Sequence, residues 1–166
     1  MRVLGIDPGL RITGYGCIVH AGERSEIVEA GVIRLVAAGS ERRTVSERLM
    51  ELDADFRGLL DRVAPDIVAV EGLFAHYKHP ATAIAMGHAR GVLLLAIRQR
   101  GVRLMELKPL EVKRSVTGHG HAKKEQMQRA VQTLFGLSEP PTPHDVADAL
   151  AIALAAGRRA SSAMLA

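Results

Sequence analysis

Asp66 to Glu71 reads DIVAVE: four apolar residues in succession, Ile67, Val68, Ala69 and Val70, that close on a carboxylate. An unbroken apolar run of this length suits a central parallel strand covered on both faces. Helices are therefore expected on two sides of a sheet. Val3 to Asp7 (VLGID) has the same form, and Pro8-Gly9 turns the backbone directly after its carboxylate. Two parallel strands that each end in an acid bring Asp7 and Glu71 to one edge of the sheet.

The remaining elements follow outward from that pair. Thr13 to His20 and Glu26 to Val36 are strand candidates joined around Ala21-Gly22, which with the first strand make an antiparallel meander. From Thr44 to Val63, Leu49, Leu52, Phe56, Leu59, Leu60 and Val63 recur at three- and four-residue steps, an amphipathic helix that Pro65 ends. A second helix is predicted over Ala81 to Arg100, a further strand over Val102 to Leu107, and helical patterns over Leu110 to Val116 and Lys123 to Leu134. Leu137 to Pro143 is a Pro-rich loop, and a last helix follows it. Arg158 to Ala166 loses the apolar pattern, so residues 1–157 read as one domain and 158–166 as a flexible tail.

With 166 residues, 48% of them hydrophobic, the chain can bury one core without a second domain. Three Phe, two Tyr and no Trp leave that core to Leu, Val, Ile and Ala, as in a tightly layered α/β fold. Twenty-two Lys and Arg against 18 Asp and Glu, with a pI near 9.6, favour a polyanionic partner. Cys17 is the lone cysteine, which excludes an internal disulfide and a Cys-rich zinc site and agrees with a reducing compartment. MRVLGIDPG leaves no room for a signal-peptide core, and the other apolar stretches read as shorter than the ~18 residues of a membrane span. A soluble, cytoplasmic protein is expected.

Four acids carry the chemistry. Taken singly, Asp7 reads as an ordinary turn residue before Pro-Gly, Glu71 as a solvated strand end, and Asp145 as the partner of Thr142 in a helix capping box. Asp148 resists such accounts. It lies among Val146, Ala147, Ala149, Leu150, Ala151 and Ile152, so its carboxylate is at least partly buried and needs a salt bridge or a metal. Taken together, acids at two strand ends and on one face of a packed helix meet at the rim of a sheet. Oxygen-rich clusters of that kind hold divalent metals for phosphoryl chemistry, which points to a metal-dependent nuclease. Neither a GxxxxGK[ST] phosphate loop nor a Ser-His-Asp or Cys-His set competes, so ATP hydrolysis is not expected. A negative site needs nearby cations to accept phosphate; Lys78, Arg114 and Lys123 read either as such helpers or as ordinary solvated charge. The GHGH segment, Gly118 to His121, reads as an H-x-H metal site or as a polar loop whose His rings donate to phosphate. Phe74 reads equally as a cap on the core or as an exposed ring that stacks on an unpaired base.

GIDPG at Asp7, VAVEGLF at Glu71 and Phe74, GHARG from Gly87, VKRSVTGHGHAKK from Val112 and DVADALAIAL from Asp145 together resemble the RuvC family. These are bacterial Holliday junction resolvases of the RNase H-like superfamily. The resemblance spans almost the whole chain in order. It implies an RNase H-like α/β fold, a five-stranded mixed sheet (three antiparallel, two parallel) flanked by helices on both faces. It implies that Asp7, Glu71, Asp145 and Asp148 form the catalytic and metal-binding tetrad, holding two Mg²⁺ ions with Mn²⁺ as substitute. His144 precedes the third acid, and some relatives use His in this motif, so the metal-facing residue stays open between Asp145 and His144. Lys113 and Lys124 match basic positions that the family places near the scissile strand, and the match favours the stacking role for Phe74. Four-way junction DNA is the implied substrate, cut symmetrically to leave 5′-phosphate and 3′-hydroxyl ends. A homodimer is implied, with Ala83, Gly87 and Gly91 as its smooth helix ridge, as is work beside a branch-migration helicase complex of the RuvA and RuvB type. Two alternatives are a non-catalytic junction-binding protein of the same fold and a sugar-kinase or actin-like fragment, since GIDPG resembles their first phosphate loop.

Overall fold

Alternation along the strands sorts the apolar residues of the sheet into two layers, and each layer collects its own helices. The computed structural model describes residues 1–35, 43–72 and 80–164. Its elements run β1 (Arg2–Asp7), β2 (Ile12–Ala21), β3 (Arg24–Arg34), α1 (Val45–Val63), β4 (Ile67–Glu71), α2 (Pro80–Gln99), β5 (Arg103–Leu107), α3 (Pro109–Thr117), α4 (Lys124–Phe135) and α5 (His144–Met164). The five strands form one sheet of order β3-β2-β1-β4-β5. β1, β2 and β3 pair antiparallel, while β4 joins β1 and β5 joins β4 in parallel. The expected mixed sheet is the observed one.

On one face, Leu4, Ile6, Cys17, Val68 and Val70 pack with Leu52, Phe56, Leu59 and Leu60 of α1 and Leu93 and Ile97 of α2. The opposite face sets Val3, Ile18, Ile67 and Ala69 against α3, α4 and α5. α5 lies between the sheet and the α3-α4 pair, which explains why Ala147, Ala149, Ala151, Ala153 and Ala156 are all buried. Small residues let it sit close. A Cβ on Gly5 would stand 2.1 Å from the Ala149 carbonyl oxygen, one on Gly14 2.1 Å from that of Asp145, and one on Gly16 2.8 Å from Leu150 Cδ2. The strand glycines thus form a floor on which the backbone of α5 rests.

Local chemistry accounts for the element ends. Thr44 caps α1 through a capping box with Glu47, whose carboxylate accepts from Thr44 N at 2.7 Å. The helix closes at Ala64, in the left-handed region with φ 41°, one residue before Pro65. Three expectations are corrected. β3 ends at Arg34, and Val36 lies outside the described residues. The flexible tail is replaced, as far as Met164, by continued helix: Ala160 is buried and Arg158 donates to the Ser115 carbonyl, so charge interrupted the sequence pattern without ending the helix. Ala81–Gln99 is also long and apolar enough, at mean hydropathy 1.2, to cross a membrane by length and composition. It is apolar on two faces, since Ala89, Leu93, Ala96 and Ile97 enter the core while Ile84 and Leu95 are 61% and 56% exposed on the other side.

Candidate active site

Strand parity aims the first two acids. Val3, Gly5 and Asp7 of β1 and Ile67, Ala69 and Glu71 of β4 all face α5. Asp145, Asp148 and Ile152 follow at steps of three and four on α5 and so share one helical face. All four carboxylates line a single cavity of about 460 Å³, together with Lys113 of α3 and Lys124 of α4. Ile12, Val112, Met127 and Ile152 supply its apolar walls.

The supports of the acids are local. Thr13, fully buried, donates from Oγ1 to the Gly9 carbonyl at 2.7 Å and accepts from Gly9 N at 3.2 Å, stapling the turn that follows Asp7. The turn reading of Asp-Pro-Gly and the functional one are therefore compatible. Gly72 N donates to the Leu107 carbonyl at 2.8 Å, carrying the β4-β5 pairing past Glu71. Asp145 is held by the contact of its own backbone with Gly14, and the first turn of α5 closes through Val146 N and the Pro143 carbonyl. Thr13 and Gly14 went unnoticed as site supports in the sequence. Thr13 had a signal in its position, a small hydroxyl side chain at the start of a strand and four residues after Gly9.

Crowded negative charge dominates the cavity. Burial, then the carboxylates of Asp148, Glu71 and Asp145, push the Asp7 carboxyl up to about 7, against the opposing pull of Lys124. Glu71 is raised by burial and by Asp148, with Lys113 opposing. Asp148 is raised by burial, which Lys124, His144 and Lys113 oppose and Asp145 reinforces. Among the described residues no three His, Cys, Asp or Glu side chains already stand as a closed metal cage. An ion shared by the four carboxylates would need them closer together than they stand here.

The other predicted residues divide. Lys113 and Lys124 reach the cavity, whereas Arg114 lines a separate hollow with Lys108, Leu110 and Glu111. Lys123 is exposed at the N-cap of α4, where its backbone N donates to Gln126 Oε1 at 2.8 Å. His144 is exposed and acts on Asp148 through its charge, while Asp145 is the one that lines the cavity. Phe74 and Lys78 lie outside the described residues.

A mixed five-stranded sheet with carboxylates on two central strand ends and on the helix that crosses them defines an RNase H-like nuclease. Residues 3–156 match the family described as crossover junction endodeoxyribonuclease RuvC, and the chain belongs to that family. It is 46% identical over 154 residues to the RuvC of Moorella thermoacetica, covering 93% of this chain and 89% of the relative. Identity to the RuvC of Caldicellulosiruptor saccharolyticus is 44% over 155 residues, 93% of this chain and 90% of that one. Among solved structures, Thermus thermophilus RuvC in complex with Holliday junction substrate is 35% identical with a TM-score of 0.88, covering 98% of this chain and 96% of that one. Family membership makes the chain a phosphodiester hydrolase, and nothing favours the non-catalytic or kinase-like alternatives.

Proposed function

We propose that this chain resolves four-way DNA junctions as a symmetric homodimer in the cytoplasm, each protomer hydrolysing one phosphodiester with two Mg²⁺ ions, for which Mn²⁺ can substitute. The observation that carries this reading is the convergence of Asp7, Glu71, Asp145 and Asp148 in one cavity with Lys113 and Lys124 beside them. Hard carboxylate oxygens are the donors that magnesium and manganese select. A carboxyl raised to about 7 by burial and by three like charges is one that a divalent cation would return to its ionised form. When bound, such ions supply Lewis acidity to a water and to the leaving 3′ oxygen in an in-line displacement.

The chain's own groups do the rest. The four acids would hold the ions, and the apolar walls from Ile12, Val112 and Met127 limit the water that enters the cavity. Lys113 and Lys124 offset the repulsion between phosphate and acids and hold the scissile strand. The ends left are a 5′-phosphate and a 3′-hydroxyl. Phe74 is assigned to stacking on an unpaired base on the resemblance, and Lys78, Arg114 and Lys123 to more distant phosphates on their charge alone.

Paired nicks across a two-fold junction call for a two-fold enzyme. The outward face of α2 supports this: the space above Gly87 and Gly91 is open, and exposed Ile84 and Leu95 flank them on the same side. Assembly with helicase partners of the RuvA and RuvB type rests on family membership. Incubation of the purified chain with a labelled synthetic four-way junction tests the whole reading. Symmetric nicks are expected with Mg²⁺ and none with a chelator, and an intact junction in Mg²⁺ sinks it.

A further inference from the structure

Beside the acidic cavity lies a larger one, of about 640 Å³, between the 117–122 loop and α4. Ala122 lines both, so the two are neighbours along the surface. Their linings are opposite in character. Four carboxylates define the first, whereas among the described residues the second has none and presents Thr117, His119, His121, Gln126 and Arg129 above an apolar floor.

The loop is built to hold those rings. Gly118 takes φ 78° at the end of α3, with its N donating to the Arg114 carbonyl at 2.9 Å. Thr117 Oγ1 accepts from His119 N at 3.2 Å and donates to the Lys113 carbonyl at 2.9 Å, tying the loop to the turn of α3 that carries a lysine of the acidic cavity. Gly120 packs under Leu110, where a Cβ would come within 2.8 Å. Both glycines of the GHGH segment thus have structural causes. Its histidines do not: His119 and His121 are exposed, and among the described residues neither ring has a hydrogen-bond partner. Arg129 faces the same hollow from α4 and is exposed as well. Hydrogen bonds that already hold the loop backbone reduce the ordering a ligand must impose on it.

We propose that this hollow binds the DNA backbone next to the scissile phosphate, on one side of it only. His119, His121 and Arg129 donate to one or two phosphate oxygens, and the apolar floor takes the deoxyribose. The inference rests on the function proposed above and extends its DNA contacts beyond the lysines. Its grounds are complementarity between a donor-rich, acid-free lining and phosphate, and continuity with the cavity where the strand is cut.

Arg129→Gln and the double variant His119→Gln, His121→Gln alter exposed side chains and leave the core intact; unchanged melting curves confirm it. Junction affinity in chelator is measured across a range of salt. Each variant is expected to bind about tenfold more weakly, and Arg129→Gln to lower the salt slope by about 1. Neutral methylphosphonates placed singly along the cut strand then locate the contact. At one or two positions flanking the scissile phosphate on a single side, neutralisation weakens the wild type and leaves the variants unaffected. Arg129→Lys restores part of the affinity. Wild-type binding combined with unchanged variants, or with no position of coupling, overturns this inference alone and leaves the hollow to a protein partner. A wild-type chain that binds no junction overturns the proposed function with it.

Discussion

The sheet's two faces are packed by opposite means. Under α1 and α2 the strands present Leu4, Ile6, Cys17, Val68 and Val70, and the helices answer with Leu52, Phe56, Leu93 and Ile97. Under α5 they present Gly5, Gly14 and Gly16 among Val3 and Ile18, so that Gly5 and Gly14 meet the backbone of the helix and Gly16 meets Leu150. Bulk side chains set a volume, whereas bare glycines set a distance. The first kind of contact holds a fold together; the second decides where an acid on the helix stands relative to an acid on a strand.

Asp7→Asn tests this division most severely. It keeps junction binding, since the change removes charge repulsion, and cleavage in Mg²⁺ falls by about 10³-fold or more, because several kcal/mol of transition-state stabilisation are lost. Wild-type rates in that variant would remove Asp7 from the mechanism.

Next in size is a pair of substitutions, one on each face. Phe56→Ala leaves a cavity in the α1 layer and lowers stability by about 3–5 kcal/mol, with little change in cleavage by the remaining folded protein. Gly14→Ala drives a Cβ into the Asp145 carbonyl and costs about 1–3 kcal/mol. Displacement of Asp145 by about 1 Å should nevertheless slow cleavage by about 10²-fold. Denaturant melts read against single-turnover cleavage separate the two, and equal losses of activity would erase the distinction between the faces.

The smallest effect is on pH dependence. In metal-free protein Asp7 titrates near 7, against about 3.9 in the unfolded chain. Between those values the folded state binds the extra proton, so stability declines as pH rises from about 4 to 7 and levels off above. Glu71 and Asp148 are shifted in the same direction. Thermal melts in chelator should show a lower Tm at pH 7.5 than at pH 5, with a flatter profile for Asp7→Asn. A Tm that rises over that interval in wild type would count against a raised Asp7 carboxyl in the folded cluster.

Much of this was legible from residue order. Apolar runs ending in Asp7 and Glu71 marked two parallel strands, and the steps from Leu49 to Val63 marked α1. A local pattern carries no information about distant neighbours. Arg158 and Arg159 broke the apolar stripe and looked like the start of a tail, yet they pair with Ser115 and Glu111 across the α3-α5 contact. Lys113, Arg114, Lys123 and Lys124 are alike in sequence, and only two of them turn into the acidic cavity.

Residue order alone established most of the strands and helices and the sheet edge that Asp7 and Glu71 share, because backbone periodicity couples neighbouring positions directly. Tertiary structure decided how closely Asp145 and Asp148 stand over Asp7 and Glu71, and that Arg114 and Lys123 stay outside their cavity. That depends on how far α5 settles onto Gly5, Gly14 and Gly16, a contact between segments more than a hundred residues apart, and no periodicity along the chain encodes a distance of that kind.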